Sequence, residues 1–414
     1  MNIKKYINDK KGDFIYLSSS IINPFVGMLN AIVASRYIEP NIMGVVNSTL
    51  LIGSYASFAQ LGVFNGLNRN IAYYKAKSDE ERVQSMVDTS YLVAILITLV
   101  SFVLSFIYFI YTCFYGSFIL SASAFLLCIV LLTTNMTTHF DVTFRSGEEF
   151  KMLGIIKSKE SVLSLVLCIL PVFFNYIGYI IGYICRQLYG LYLRFKNRVY
   201  IYKKKQTFTS YKSLLEAGWP LLFGGYVWSI FSVADQTFIS LNMTSEEMGL
   251  YNIARQCTTA IMVVPNAINT LLYPKAAALF GKTDDPRTLR PFIWKSLFLY
   301  IGVMLPICIA GYFFIPVFVE SFLPKYVNGI RAAQISLLTG FTYIYFGPSV
   351  VFGVLKKNMA FNILILLLLG MFWVVAICFD KYILSINDIA LLRLSFFVAL
   401  MLVTILLSFY YCRK

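Results

Sequence analysis

The chain has 414 residues, of which 58% are hydrophobic and only 13% charged, with a net charge of +15 and a mean hydropathy of +0.71. Soluble domains carry about a quarter of their residues as charge, so this chain has too little polar surface to coat a water-soluble body. An ordinary soluble enzyme, a disordered chain and a nucleic-acid binder are excluded, and a polytopic α-helical membrane protein is predicted.

In chain order, apolar runs near the length of a bilayer-spanning helix predict about twelve transmembrane segments, at 14–34, 42–63, 90–112, 117–137, 161–175, 178–194, 214–241, 249–274, 293–316, 331–354, 360–379 and 388–410. Lys4, Lys5, Lys10 and Lys11 precede the first run, as in a signal peptide. That run is full length, lacks an A-x-A cleavage site and is followed by a second span, so it reads as a retained helix. The fifth and sixth segments share one apolar stretch, broken near Asn175–Gly178 with Pro171 just before.

Charge orients these segments. With a cytoplasmic N-terminus, the inside loops and the adjoining helix ends hold 28 of the 35 Lys and Arg. The outside loops hold only Arg36, Lys325, Arg331 and Lys381, while Arg186, Arg255 and Arg393 fall within spans. This asymmetry predicts cytoplasmic N- and C-termini. Much of the positive charge is thus an orientation signal and an attraction for anionic membrane lipids. The densest basic block, Arg194–Lys205, lies halfway along the chain.

Common chemistries find no support. The eight cysteines lie mostly inside apolar runs and form no CxxC, and the one histidine, His139, has no Cys or carboxylate cluster beside it. No metal site of the usual His/Cys kind is expected. Walker A, GxSxG and HExxH patterns are missing, so neither ATP-driven pumping nor hydrolysis is expected, and the chain is read as not an enzyme.

The two halves look alike. At an offset of 205 residues, Met43, Gly44 and Asn47 of MGVVN fall on Met248, Gly249 and Asn252 of MGLYN. Lys77-Ser78-Asp79-Glu80 falls on Lys282-Thr283-Asp284-Asp285, and Ser35 on Ser240. Six helices separate the matches, so the repeat is parallel, with its axis along the membrane normal. The predicted fold is all-α, with two pseudo-symmetric six-helix bundles around a central cavity. The N-terminal bundle is 1–194, a basic cytoplasmic linker is 195–213, and the C-terminal bundle is 214–414.

Several segments carry a family resemblance: Leu61–Arg82 (LGVFNGLNRNIAYYKAKSDEER), Phe144–Phe150 (FRSGEEF), Ala217–Ser240 (AGWPLLFGGYVWSIFSVADQTFIS), Met248–Ala254 (MGLYNIA) and Val264–Phe280 (VPNAINTLLYPKAAALF). Together with the length, the twelve spans and the basic mid-chain loop, they make the chain resemble a polysaccharide flippase of the O-antigen (Wzx) type, within the multidrug/oligosaccharidyl-lipid/polysaccharide exporter superfamily. The resemblance implies movement of an undecaprenyl-pyrophosphate-linked oligosaccharide from the cytoplasmic to the outer leaflet of a bacterial inner membrane by alternating access, for O-antigen, lipopolysaccharide or other surface polymer. It implies no cofactor, a proton or sodium gradient as the driving force, and a polysaccharide polymerase and chain-length proteins as partners.

Charges inside spans carry the site expectations. Each costs about 2.5–3.5 kcal/mol on insertion scales, so each should face a wet cavity, a partner or an interface. Asp235 and Arg255 lie about equally deep on the seventh and eighth segments and are expected to pair. Such a pair either pins the two helices or lines the cavity, with Arg255 meeting anionic substrate and Asp235 serving ion coupling. Their first-half counterparts are Asn30 and Leu50. Arg186 is mid-span and is expected to contact substrate. Arg393, offset from it by 207 residues, either does the same or reaches the outer interface. Guanidinium suits a pyrophosphate because it binds bidentately and keeps its charge in low dielectric. Tyr226, Tyr251, Tyr343 and Tyr345 are candidates for stacking on sugar rings. Arg69, Lys75, Lys77, Arg145, Lys151 and Lys275 are placed at the cytoplasmic mouth, for topology or pyrophosphate capture. Pro24, Pro220, Pro265 and Pro348 are expected to kink their helices.

Two other functions are weighed. A cation-coupled multidrug exporter of the same superfamily predicts carboxylates in the first bundle's cavity, where no clear mid-span acid is seen. A membrane polysaccharide polymerase predicts a large outer loop, and none is present.

Overall fold

The computed structural model describes residues 3–379 and 385–413, and their side chains apart from those of 3–11, 13, 14, 57, 220 and 221. Pro220 and Lys381 therefore lie outside what is described. All regular structure among the described residues is helical. The helices are α1 (Ile3–Tyr37), α2 (Pro40–Ala56), α3 (Val63–Ala76), α4 (Glu80–Tyr115), α5 (Phe118–Ser146), α6 (Phe150–Leu167), α7 (Leu170–Lys196) and α8 (Phe208–Ser232). They continue as α9 (Ala234–Asn242), α10 (Ser245–Leu250), α11 (Asn252–Gly281), α12 (Arg290–Phe322), α13 (Ile330–Thr342), α14 (Phe346–Val354), α15 (Asn358–Cys378) and α16 (Ile386–Tyr411).

Each of the twelve expected segments is occupied by helix. Among the described residues, eight stretches, including Glu80–Tyr115, Phe118–Ser146 and Pro286–Phe322, are long and apolar enough to cross a bilayer. Several segments are broken. The second segment passes from α2 through a 3-10 turn to α3, with Gly62 at φ 92°. The seventh is interrupted at Val233. The stretch shared by the fifth and sixth segments breaks where expected, at Asn175 (φ 49°, ψ −132°), and a second time at 168–169, between α6 and α7. The loop expected at 138–160 is mostly helix, because α5 runs on to Ser146 and α6 starts at Phe150.

Helix starts follow local chemistry. Asp79 accepts from the Arg82 amide at 3.1 Å and caps α4. Ser117 does the same for α5 through Leu120. Reciprocal capping boxes open α10 (Thr244, Glu247) and α16 (Ser385, Asp388). Pro24 and Pro265 lie inside α1 and α11. Pro348 sits in the first turn of α14, just after a 3-10 turn, where its missing N–H costs nothing.

The chain divides into two compact units. Unit 1 comprises 1–38 and 45–226, and unit 2 comprises 39–44 and 227–414. In unit 1, α4 packs on α5, α1 on α6, and α7 on α5 and α6. Its core includes Val63, Phe64, Leu67, Val83, Met86 and Leu214. In unit 2, α13 packs on α11, α12 and α16, and α14 on α11. Large apolar side chains are exposed along α4 (Leu104, Phe114) and α12 (Phe298, Phe313), as expected of helices solvated by lipid.

Candidate functional site: charged centres in each unit

Polar side chains on α1, α5, α6 and α7 converge inside unit 1. They line a cavity of about 400 Å³ whose walls include Asn23, Asp141, Lys157, Glu160, Arg186 and Arg194. Arg186 Nη2 donates to Asn23 Oδ1 at 2.6 Å. Lys157 donates to Ser20 Oγ at 3.4 Å and lies 5.0 Å from the centre of the Tyr16 ring. A smaller pocket of about 50 Å³, lined by Asn30, Ser164 and Tyr179, shares Gly27 and Arg186 with the cavity.

Arg194 holds two carboxylates in this wall. Its Nε donates to Asp141 Oδ1 at 2.6 Å, its Nη1 is bound to Glu160 Oε1, and Nη1 also reaches the Gly190 carbonyl at 3.1 Å. Arg194 and Glu160 are buried and Asp141 is partly so. The sequence reading ended the sixth segment at Arg194 and overlooked both acids. It placed Asp141 and Glu160 in a loop, whereas the longer α5 and α6 carry them into the bundle.

Unit 2 has its own buried centre. Arg393 Nη1 on α16 forms an ion pair with Asp235 Oδ2 on α9, and the Tyr251 hydroxyl donates to the same oxygen at 2.6 Å. Asp235 Oδ1 and Arg393 Nε have no hydrogen-bond partner among the described residues. The ion pair that Asp235 makes here is with Arg393, where the sequence led to an expectation of Arg255. α16 packs against α9 and brings Arg393 to the carboxylate. Arg255 lies partly exposed on α11.

The tyrosines also depart from expectation. Tyr251, Tyr343 and Tyr345 are buried to within 2%, so their rings are packed in unit 2 rather than presented to a sugar. Tyr226 donates to the Phe58 carbonyl at 2.7 Å, and its ring lies 4.2 Å from that of Phe58. Arg69 on α3, Arg145 in the last turn of α5 and Lys275 on α11 are exposed. Lys75 donates to the Gly147 carbonyl at 3.1 Å.

The two deep arginines follow the repeat. In each half, the arginine of the sixth segment bonds a polar residue on the first: Arg186 with Asn23, and Arg393 with Asp235. Asn30, the counterpart of Asp235, donates to Ser164 Oγ at 2.5 Å.

One further acid escaped the sequence reading. Asp88 on α4 is fully buried. It accepts from Gln84 Nε2 at 2.8 Å and from the backbone amides of Lys203 and Lys205 at 3.1 and 2.9 Å. The basic mid-chain segment is thus pinned to α4 through its backbone, with Lys204 at φ 58° between the two donating residues.

Comparison with known proteins places this geometry. The chain matches a multidrug-resistance MATE family transporter in an inward-facing conformation with a TM-score of 0.73 at 14% identity, over 97% of this chain and 98% of that one. It matches the lipid II flippase MurJ in an inward closed conformation with a TM-score of 0.69 at 13% identity, over 96% of this chain and 87% of that one. The Vibrio cholerae MATE transporter VcmN in its bent form gives a TM-score of 0.61 at 16% identity, over 98% and 97% of the two chains. At these identities the likeness is one of fold. No curated protein sequence matches. The family model described as polysaccharide biosynthesis protein matches residues 10–280, and the chain accordingly belongs to the polysaccharide biosynthesis protein family.

Proposed function

We propose that this protein is a flippase that moves a polyprenyl-pyrophosphate-linked oligosaccharide across the membrane by alternating access. The observation that carries the reading is the unit 1 cavity, a polar space walled by three cationic and two acidic side chains within apolar helices. Both carboxylates are held by Arg194, which leaves Lys157 and Arg186 to meet an anionic cargo. Guanidinium and ammonium groups in a low-dielectric wall offset phosphate charge while the polyprenyl tail stays in lipid. Family membership supports the same direction, and so does the fold shared with a lipid II flippase. No covalent step is needed.

The finer proposal has the cargo built on undecaprenyl pyrophosphate and destined for O-antigen or another surface polysaccharide. The protein then sits in a bacterial inner membrane with both termini cytoplasmic. Polymerase and chain-length proteins act after it. A proton or sodium gradient resets it through Asp235, whose buried Oδ1 lacks a hydrogen-bond partner among the described residues.

One observation favours a second reading, a multidrug exporter. That reading calls for carboxylates in the first bundle's cavity, and Asp141 and Glu160 are there. Their engagement by Arg194 and the surplus of positive charge favour an anionic cargo instead. Deletion in cells separates the two readings. A flippase deletion leaves lipid-linked repeat unit on the inner leaflet and removes surface polymer. Normal surface polymer in a strain without redundant flippases, together with raised drug sensitivity, would establish the exporter.

A further inference from the structure

The basic mid-chain segment is laid along α4 and held there at every second residue. Gln84 Nε2 donates to the Ile201 carbonyl at 2.9 Å, the Lys203 and Lys205 amides donate to Asp88, and the Thr207 amide donates to Thr89 Oγ1 at 3.2 Å. Gln84 and Asp88 lie one turn apart on the same face of α4, so the segment is fixed as a wall. Beside it, within unit 1, lies a cavity of about 230 Å³ lined from α4, α5, the end of α7 and residues 198–202. It shares no described lining residue with the larger polar cavity that holds Arg186 and Arg194.

The chemistry of this cavity is selective. The rings of Tyr91, Phe140, Phe195, Tyr200 and Tyr202 stand around it, with the Tyr91 and Tyr202 centroids 5.3 Å apart. One polar atom is left over among them. His139 is 2% exposed, its Nδ1 is paired with the buried Ser90 hydroxyl at 3.0 Å, and its Nε2 has no hydrogen-bond partner among the described residues. The imidazole lines the cavity, so Nε2 is the atom it offers to an occupant. Asp88 lines the cavity too, but Gln84 and the two backbone amides take both of its oxygens. A cationic occupant therefore finds no free carboxylate. Arg198 differs: it is half-buried, lies 4.5 Å from the centre of the Phe195 ring and donates one N–H to the Phe195 carbonyl at 2.9 Å. Its remaining donors suit an anion.

We propose that this cavity binds a nucleotide, a planar heteroaromatic ring carrying a phosphate. The base lies against the tyrosine and phenylalanine rings, its edge meets His139 Nε2, and the phosphate meets Arg198. A hydrocarbon chain would seal Nε2 away without a partner, and a bare anion would leave the aromatic walls unused. At about 230 Å³ the space falls below the ~300–1,000 Å³ of drug-sized sites, so it takes one base with its ribose rather than an oligosaccharide. The sequence carries no Walker A loop, and the role is binding without hydrolysis. Because Tyr91 and His139 belong to helices and Arg198 and Tyr202 to the mid-chain segment, the occupant ties that segment to unit 1. This site is independent of the cargo assigned above.

Calorimetric titration of the purified full chain in detergent tests the site, with adenosine monophosphate and uridine monophosphate as probes. At least one of them should bind saturably with a Kd below about 1 mM. Arg198→Gln should weaken that nucleotide about tenfold and leave the weaker binding of its nucleoside unchanged, because only the phosphate meets the guanidinium. Tyr202→Ala and His139→Leu should weaken nucleotide and nucleoside alike. Lys212→Gln, exposed on α8, should change neither. Arg198 and Tyr202 are half-buried, so their variants decide the matter should His139→Leu fail to accumulate. The proposal is overturned if neither nucleotide binds saturably. It is equally overturned if inorganic phosphate or a short-chain phosphatidylglycerol displaces the nucleotide at equal concentration, which would mark a site for any anion or for lipid. Binding lost in Lys157→Gln but kept in Arg198→Gln would place the nucleotide in the other cavity and overturn it as well.

Discussion

Removing one partner of the Asp235–Arg393 pair strands a charge in the interior of unit 2. Asp235 is 1% exposed and Arg393 5%, and the pair ties α9 to α16. Truncating one member of such a pair costs about 3–5 kcal/mol, whereas replacing both with apolar residues of similar size is often neutral or better. The pair is also incompletely satisfied, because Asp235 Oδ1 and Arg393 Nε lack partners among the described residues. Arg393→Leu and Asp235→Leu are each expected to destabilise the protein by about 3–5 kcal/mol, on the order of a hundredfold or more in the folded-to-unfolded ratio. The double variant should fall within about 1 kcal/mol of the native chain, apart from the cost of leaving the Tyr251 hydroxyl without its acceptor. Thermal unfolding of the purified protein in detergent, arranged as a double-mutant cycle, reads the coupling directly. Additive losses from the two single variants would show that the pair does not hold the unit together.

Three further outcomes follow from the same geometry. Arg194→Ala leaves Asp141 and Glu160 facing each other without their shared cation and is expected to cost about 3 kcal/mol. A loss below about 0.5 kcal/mol in detergent unfolding, the level of an ordinary surface change, would remove the network from the structural account. Asp88→Asn should weaken the charge-assisted bonds to the Lys203 and Lys205 amides, each worth about 1.5–3 kcal/mol. Trypsin should then cut at Lys203–Lys205 in inside-out vesicles roughly tenfold faster, and unchanged cleavage would contradict the pinning. Arg69→Ala and Arg145→Ala, both exposed, should shift stability by no more than about 0.5 kcal/mol yet slow oligosaccharide movement. Unchanged movement would leave them as orientation signals alone.

Much of the fold could be read from the chain because hydrophobic runs and charge asymmetry are set by the bilayer rather than by packing detail. The twelve segments emerged that way, and so did the repeat that aligns MGVVN with MGLYN. The equivalence of Arg186 and Arg393 was also legible from their offset. Pairing was not. Residue counting matched Asp235 with Arg255, but α16 packs on α9 and brings Arg393 to the carboxylate, a choice to which sequence separation gives no access. Asp141, Glu160 and Asp88 were missed for another reason. Polar residues at helix ends look like loop, and only the extension of α4, α5 and α6 past the apolar runs draws these acids inside. Tyr251 shows the same limit for aromatics, since composition cannot tell a packed ring with a satisfied hydroxyl from one facing a cavity.

The most direct measurement is leaflet exchange of a short-chain polyprenyl-pyrophosphate oligosaccharide in liposomes that hold the purified protein. The native chain should equilibrate the label across the bilayer well above the protein-free rate. Arg186→Gln with Lys157→Gln should slow this at least tenfold while leaving detergent stability near native. Exchange no faster than in empty liposomes, with a driving gradient present, would contradict the flippase reading. Native-rate exchange by the double variant would contradict the role given to the unit 1 cations.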